Sequence, residues 1–241
     1  MKTLCALILL LAALPMAGCS TPVVRPPSPA VQTRFQDLEA PPVPAGEHYY
    51  LLVFGAQSTP KIPRFTHCWI SAVKVADRGP GARPLVEHQS VSWMPATLQV
   101  RTWQFCVEPG KNLDLHTSIA MSLAKGERVS VWGPFETSER IYRKVLLQKA
   151  FLEGGRVGYQ CIDLLGESAR QGNAYNCVHA ISAIDPLFDP RDFPIYRFGD
   201  AASETAVRRL AECGALVDPG RTHDWLIPLL HLECYPLCRR Q

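Results

Sequence analysis

A cysteine at the start of a short apolar helix is the residue best placed to act as a nucleophile. Cys177 lies in the segment Tyr175–Ile181 (YNCVHAI). Asn176 is a preferred N-cap residue, so Cys177 is predicted to be the first residue inside the helix. The positive end of the helix dipole stabilises a thiolate there, and backbone amides at that end can stabilise an oxyanion. The alternative is a small buried cysteine that packs the helix.

The base for such a thiol must come from another part of the chain. His179 is two residues from Cys177, and residues two apart on a helix point to nearly opposite sides. A metal site at this pair lacks a second ligand pair with zinc-like spacing nearby. His67, at the start of the apolar segment 65–75, is the strongest candidate. Other histidines compete with it, namely His88, His116, His223 and His231.

The first residues of the chain have the pattern of an export signal. Lys2 precedes an apolar run over 4–14, which is short for a membrane span, and Met16-Ala17-Gly18-Cys19 follows it. Ending in Gly-Cys, residues 1–18 resemble a lipoprotein signal peptide, which implies cleavage before Cys19 and acylation of its thiol. A secretory signal with an incidental Cys19 is the alternative.

Residues 19–46 are rich in proline and show little apolar periodicity, as expected of an extended, lipid-anchored tether. Residues 47–241 are then one domain of ordinary size. With Ser20 after the lipidated cysteine, resemblance to enterobacterial sorting favours the outer membrane, with the domain facing the periplasm. The net charge of +3 is too small to indicate nucleic acid.

The cysteine count fits an oxidising compartment. Of nine cysteines, Cys5 lies in the signal and Cys19 is the lipid site. If Cys177 is a free nucleophile, the other six could form three disulfides, and the odd cysteine is then the reactive thiol. These six are Cys68, Cys106, Cys161, Cys213, Cys234 and Cys238.

The hydrophobic pattern predicts an α+β fold in which strands come first and helices follow. Apolar runs bounded by turn residues predict strands over 49–54, 65–75, 85–93, 100–107, 128–132 and 157–165. Helical spacing and caps predict helices over 113–124, 138–152, 178–184 and 203–213. The turn cluster Asp77–Gly81 indicates that the second and third strands form a hairpin.

The segments around His67 and Cys177 together resemble a known family. Thr66-His67-Cys68-Trp69-Ile70 upstream and Asn176-Cys177-Val178-His179 downstream look like the circularly permuted papain-like group. This group includes lecithin–retinol acyltransferase-like proteins and NlpC-like bacterial lipoprotein amidases, and the resemblance covers roughly residues 48–185. It implies an antiparallel sheet packed against helices, with Cys177 as nucleophile and His67 as general base.

The resemblance also implies a polar residue on the next strand that orients the histidine. Leu85-Val86-Glu87-His88 is similar to that strand, which implies Glu87, with His88 as the alternate. The two face opposite sides, so only one can serve. A symmetric hairpin centred near Pro80 instead pairs His67 with a residue near Trp93, so either the turn is asymmetric or Ser92 takes the role.

The resulting expectation is a lipid-anchored envelope protein that acts as a cysteine hydrolase, amidase or acyltransferase on amide or ester bonds. It needs no metal or organic cofactor. Its expected partners are the membrane, through Cys19, and a cell-wall peptide or an acyl lipid as substrate. The alternative is a non-catalytic envelope-binding lipoprotein that retains the fold, with Cys177 structural.

Overall fold

The computed structural model describes residues 46–76, 84–162, 167–184 and 198–240. The predicted signal peptide with Cys19, the tether up to residue 45 and the turn Asp77–Gly81 lie outside the described residues. In the described ranges, no helix combines the length and the apolar character that a membrane crossing requires.

Two sheets and several helices make up the described fold. The strands are β1 (Glu47–Gln57), β2 (Thr66–Ala76), β3 (Leu85–Val91), β4 (Trp93–Pro95), β5 (Glu108–Asn112), β6 (Arg128–Thr137), β7 (Gly158–Tyr159), β8 (Ala174–Tyr175) and β9 (Cys238–Arg240). The helices are α1 (Leu115–Ala124), α2 (Glu139–Glu153), α3 (Glu167–Arg170), α4 (Cys177–Ser182), α5 (Asp200–Glu212) and α6 (Leu226–Leu229).

The larger sheet has the strand order β3-β2-β1-β6-β9, and the smaller one has the order β4-β5-β7-β8. In the larger sheet all neighbours are antiparallel except β6 and β9. In the smaller sheet β7 and β8 are parallel, and the other pairs are antiparallel. The fold is therefore mixed α+β with mainly antiparallel sheets, as the sequence predicted.

Helices cover both faces of the larger sheet, which explains why β1 is a continuous apolar run. Tyr49, Leu51 and Val53 pack on the face that carries α2, α4 and α5. Tyr50, Leu52 and Phe54 pack on the opposite face, with α1 and α6. A strand with two buried faces cannot alternate apolar and polar residues, so burial on each side selects a large apolar side chain.

The hairpin prediction is confirmed, because β2 and β3 pair antiparallel from Ile70–Val91 to Ala76–Leu85. The strand predicted over 100–107 is wrong, since the strand in this region is β5, over Glu108–Asn112. The alternation of apolar side chains is real, but no sheet neighbour buries them. Trp103, Phe105 and Val107 are 83%, 56% and 48% exposed.

Candidate functional site

Cys177 is the first residue of α4, as the sequence predicted. Its N-cap, Asn176, has extended backbone and accepts a hydrogen bond at Oδ1 from the backbone N–H of His179 at 2.8 Å. Asn176 also donates from Nδ2 to the carbonyl of Cys161 at 3.3 Å, which ties the cap to the end of β7. From α2, Gln148 donates to the carbonyl of Ala180 at 3.1 Å and fixes the helix from behind. The Cys177 side chain is half-buried and free.

His67 lies near the start of β2, on the face of the larger sheet that carries α1. Its ring stacks on Trp69, with centroids 5.1 Å apart, and Trp69 in turn stacks on Phe54. The imidazole is only 1% exposed. Packing against two flat rings restricts the orientation of the imidazole, so its two nitrogens have fixed directions.

The site forms where β3 leaves the larger sheet. The last pair between β2 and β3 is Ile70–Val91, and after Ser92 the chain enters β4 of the smaller sheet. Extending the register by one step places Ser92 opposite Trp69 and on the same face as His67. Nε2 of His67 and Oγ of Ser92 are 2.8 Å apart. Ser92, which the symmetric hairpin favoured, is therefore the polar neighbour of the histidine.

A chain of hydroxyl groups continues from Ser92 into α1. The Oγ atoms of Ser92 and Ser118 are 2.7 Å apart, and Oγ of Ser118 lies 2.7 Å from the carbonyl oxygen of Asp114. A carbonyl only accepts, and a serine hydroxyl has one hydrogen to donate. If Ser118 donates to Asp114, then Ser92 donates to Ser118 and accepts from the Nε2–H of His67. In this arrangement a neutral imidazole carries its proton on Nε2; when Ser118 donates to Ser92 instead, Ser92 donates to Nε2 and the proton lies on Nδ1.

The backbone of Ser92 is held on both sides, so its hydroxyl has a defined position. Its N–H donates to Oδ1 of Asn112 at 2.8 Å, and its carbonyl accepts from the N–H of Leu113 at 3.0 Å. Nδ2 of Asn112 donates to the carbonyl of Ser90 and to Glu153 of α2. A cavity of about 380 Å³ lies on the other side of Asn112, but His67, Ser92 and Cys177 do not line it.

Nδ1 of His67 is buried and makes no hydrogen bond of good geometry with the described residues. Because Nε2 is occupied by Ser92, Nδ1 is the nitrogen left to interact with Cys177. The structure thus brings His67 and Cys177 together, since the imidazole is among the groups that lower the pKa of the Cys177 thiol. Their catalytic roles remain a prediction.

The sulfur of Cys177 is surrounded by groups that favour the thiolate. Its pKa is held well below the usual range, first by a hydrogen bond from the Cys68 thiol and then by the hydrogen bond and charge of the His67 imidazole. The backbone N–H of Cys68 contributes as well, while burial acts in the opposite direction. Cys177 thus interacts with both Cys68 and His67, two adjacent residues of β2 whose side chains face opposite sides of the sheet.

Two further groups flank the thiol. The parallel register Tyr159–Tyr175, carried on by two residues, places Cys161 beside Cys177. Burial, and then the charge of Cys177, raise the pKa of Cys161 to about 11, so it stays protonated at neutral pH. The Tyr159 hydroxyl, whose pKa burial raises, donates to the sulfur of Cys161. Sequence reasoning missed both, since only the pairing of β7 with β8 brings them to the site.

The two residues predicted to orient His67 lie elsewhere, and this assignment needs correction. Glu87 pairs with Lys74 and His88 pairs with Val73. Lys74 is seven positions beyond His67 on β2, which at about 3.3 Å per residue is roughly 23 Å along the strand. Glu87 is exposed there, and His88 instead packs its ring against His116 of α1. The hairpin is symmetric, so its far end holds Ser92.

A carboxylate that the sequence did not indicate does interact with His67. Glu127 follows α1, is 5% exposed, and its Oε2 has no hydrogen-bond partner among the described residues. Burial raises the pKa of Glu127, opposed by a hydrogen bond from Ser122 and by the charges of Lys125 and His67. It is therefore a buried carboxyl group that interacts electrostatically with His67.

The prediction of three disulfides is wrong. Of the six cysteines expected to pair, five are free thiols, namely Cys68, Cys161, Cys213, Cys234 and Cys238. Cys68 and Cys161 instead place their thiols beside Cys177. The odd-cysteine argument therefore does not single out Cys177, and its position and surroundings must do so.

No group of three or more metal-binding side chains occurs among the residues that the structure describes. Comparison of the chain with protein-family models, with curated proteins and with solved structures finds no match.

Proposed function

We propose that this protein is a cysteine hydrolase, amidase or acyltransferase that cleaves an amide or ester bond through Cys177 and His67. One observation carries the proposal. The His67 ring is held at Nε2 by Ser92, and the opposite nitrogen is left for Cys177, whose pKa lies well below the usual range. A nucleophile, a base and a group that orients the base are the minimum set for this chemistry.

In the proposed first step, the Cys177 thiolate attacks the carbonyl carbon of the substrate, and the carbonyl π electrons move to oxygen. The backbone N–H groups of Cys177 and Val178 have no acceptor within α4, because the first amides of a helix lack an intrahelical partner. They are available to stabilise the oxyanion. When the carbonyl re-forms, the bond to the leaving group breaks, and protonated His67 supplies the proton that the amine or alcohol needs.

The acyl group is then a thioester on Cys177. His67, now neutral at Nδ1, removes a proton from water, and the hydroxide attacks the thioester carbon. The tetrahedral intermediate collapses to a carboxylic acid and the thiolate. In the acyltransferase version an amine or alcohol takes the place of water. In both steps the hydroxyl chain through Ser92 and Ser118 keeps the proton of Nε2 in place, so Nδ1 does the proton transfer.

The candidate substrates are peptide bonds of cell-wall stems, other amides, and acyl lipids. An exposed apolar loop near the site favours substrates with an apolar group. Phe105 and Trp103 lie on this loop, and the carbonyl of Phe105 accepts a hydrogen bond from Gln160, which precedes Cys161. Anchoring through lipidated Cys19 in the envelope is part of the same proposal and would place the site near such substrates.

The test is acylation of the purified protein by an alkyne-tagged activated acyl ester, with the labelled residue identified by mass spectrometry. We expect label on Cys177 and none after Cys177→Ala. His67→Ala should slow labelling by roughly 10²–10⁴-fold, the range for loss of a general base. His179→Ala should retain more activity than His67→Ala.

Cys213→Ala is the matched control, because Cys213 is another half-buried free thiol, hydrogen-bonded to the carbonyl of Leu210. This variant should label at the wild-type rate. Label on other residues only, or equal labelling of wild type and Cys177→Ala, would reject the proposal and favour the non-catalytic binding protein.

A further inference from the structure

The mechanism above does not use Cys68 as a reactant, although its thiol is directed at the sulfur of Cys177. Cys68 lies on β2 with 0% exposure, in the core that α4 covers, and Cys177 packs against this core. The helix α4, which Cys177 begins, packs on β2, and the thiol and backbone N–H of Cys68 both lower the pKa of Cys177. A buried cysteine does not need a hydrogen-bond partner, so burial alone does not account for the interaction between the two thiols.

We propose that Cys68 and Cys177 form a reversible redox pair, in which Cys68 resolves the oxidised form of Cys177 as a disulfide. The inference rests on the same Cys177 thiolate as the proposed function, and it adds regulation of that thiolate by peroxides. Cys177 is the entry point because it is half-buried, whereas Cys68 is closed to solvent.

The first step consumes one hydrogen peroxide. The Cys177 thiolate attacks one peroxide oxygen, the O–O bond breaks, and hydroxide leaves and takes a proton to become water. Sulfur is oxidised to a sulfenic acid, and the peroxide is reduced by two electrons. In the second step Cys68 loses its proton and attacks the Cys177 sulfur. The S–O bond breaks, the S–S bond forms, and the hydroxide leaves as water with that proton.

Two thiols and one peroxide thus give one disulfide and two waters. Bond formation requires the two sulfurs to approach to about 2.05 Å. A dithiol reductant reverses the change by exchange at the disulfide. Without a resolving thiol, a sulfenic acid proceeds to the sulfinic acid, which such reductants do not restore.

Cys161 is the competing resolving thiol, because it also lies beside Cys177. Its sulfur is engaged by the hydroxyl of Tyr159, and Cys177 acts on it through charge, with no hydrogen bond between the two thiols among the causes of the shift. Cys68 is therefore the expected partner, and Cys161→Ala is the matched control for Cys68→Ala.

The experiment treats the purified full chain with graded hydrogen peroxide, blocks remaining thiols with N-ethylmaleimide, and maps cysteines by non-reducing mass spectrometry. We expect a Cys68–Cys177 disulfide in wild type and in Cys161→Ala. After dithiothreitol, alkylation of Cys177 should return to nearly its starting level. In Cys68→Ala it should stay about tenfold lower, because Cys177 has reached the sulfinic acid.

A wild-type protein that reaches the sulfinic acid without this disulfide would overturn the inference, as would a Cys161–Cys177 disulfide. The wild-type map alone decides this if Cys68→Ala fails to fold. Disulfide mapping does not depend on turnover, so the disulfide without acyl labelling would reject only the proposed function. Acyl labelling without the disulfide would reject only the redox pair.

Discussion

Removing the Ser92 hydroxyl is the most specific perturbation of the proposed site, because it leaves both His67 and Cys177 in the chain. In Ser92→Ala the Nε2–H of His67 loses the acceptor that lies 2.8 Å away, in a position that is 1% exposed. An unsatisfied buried donor costs about 1–3 kcal/mol. The imidazole can avoid this cost by moving its proton to Nδ1, where it can no longer accept a proton from Cys177.

At about 1.4 kcal/mol per factor of ten, this cost corresponds to a loss of roughly 5- to 140-fold in the productive state. We expect acylation of Cys177 to slow by that factor. The pKa of Cys177 should also rise, because a less well-held imidazolium stabilises the thiolate less. A general loss of folding stability does not move a pKa in this way, so labelling rate against pH separates positioning from structure.

Ser71→Ala is the matched control. Ser71 on β2 and Ser90 on β3 form a buried hydroxyl pair at 2.7 Å. This pair makes no hydrogen bond with His67 among the described residues. Both variants should lose about 1 kcal/mol of unfolding free energy in urea titrations. Only Ser92→Ala should slow acylation. Equal acylation rates in Ser92→Ala and wild type would refute the positioning role of Ser92. An equal loss of acylation rate in Ser92→Ala and Ser71→Ala would refute it as well.

Four further substitutions test separate parts of the account. Glu87→Gln should acylate within about twofold of wild type, since this exposed carboxylate is far from His67; a loss above tenfold in the acyl-ester assay would restore its assigned role. Asn176→Ala should cost about 1 kcal/mol in urea unfolding and slow labelling, because it removes the cap of α4. Glu127→Gln should raise the pKa of Cys177 in alkylation profiles, since it removes a carboxyl group that interacts with the charge of His67. Cys19→Ala should abolish incorporation of a fatty-acid analogue during growth; equal labelling of mutant and wild type would reject the lipid anchor.

The parts of the site that depend on local sequence could be predicted from it. Asn176 caps α4 through its own side chain, so Cys177 at the helix start follows from two adjacent residues. The apolar runs gave β1 and β2, and the turn between β2 and β3 gave the hairpin. Local rules suffice in these cases because the interactions span only a few residues.

The register of the hairpin determines which polar residue lies beside His67. The resemblance of the strand to a known family predicted the wrong residue. Glu87 was inferred from the resemblance of its strand, whereas a symmetric turn pointed to Ser92. Register is set by the turn and by which side chains the sheet buries. Here the geometric argument was the better guide.

The remaining groups could not be found without the tertiary structure. Ser118 is one of several serines on a helix, and nothing in its sequence context marks its bond to Ser92. Cys68 lies on the other face of β2 from His67. Its interaction with Cys177 depends on the packing of α4 on β2, which joins segments more than 100 residues apart.

The most direct test of the central claim is the rate of iodoacetamide alkylation of Cys177 against pH, in wild type and in His67→Ala. An ordinary thiol with a pKa near 8.5 is only about 0.3% thiolate at pH 6. We expect an apparent pKa well below 8.5 in wild type, rapid alkylation at pH 6, and a shift toward the ordinary value in His67→Ala. A wild-type profile centred near 8.5 that His67→Ala leaves unchanged would contradict a nucleophile and base formed by these two residues.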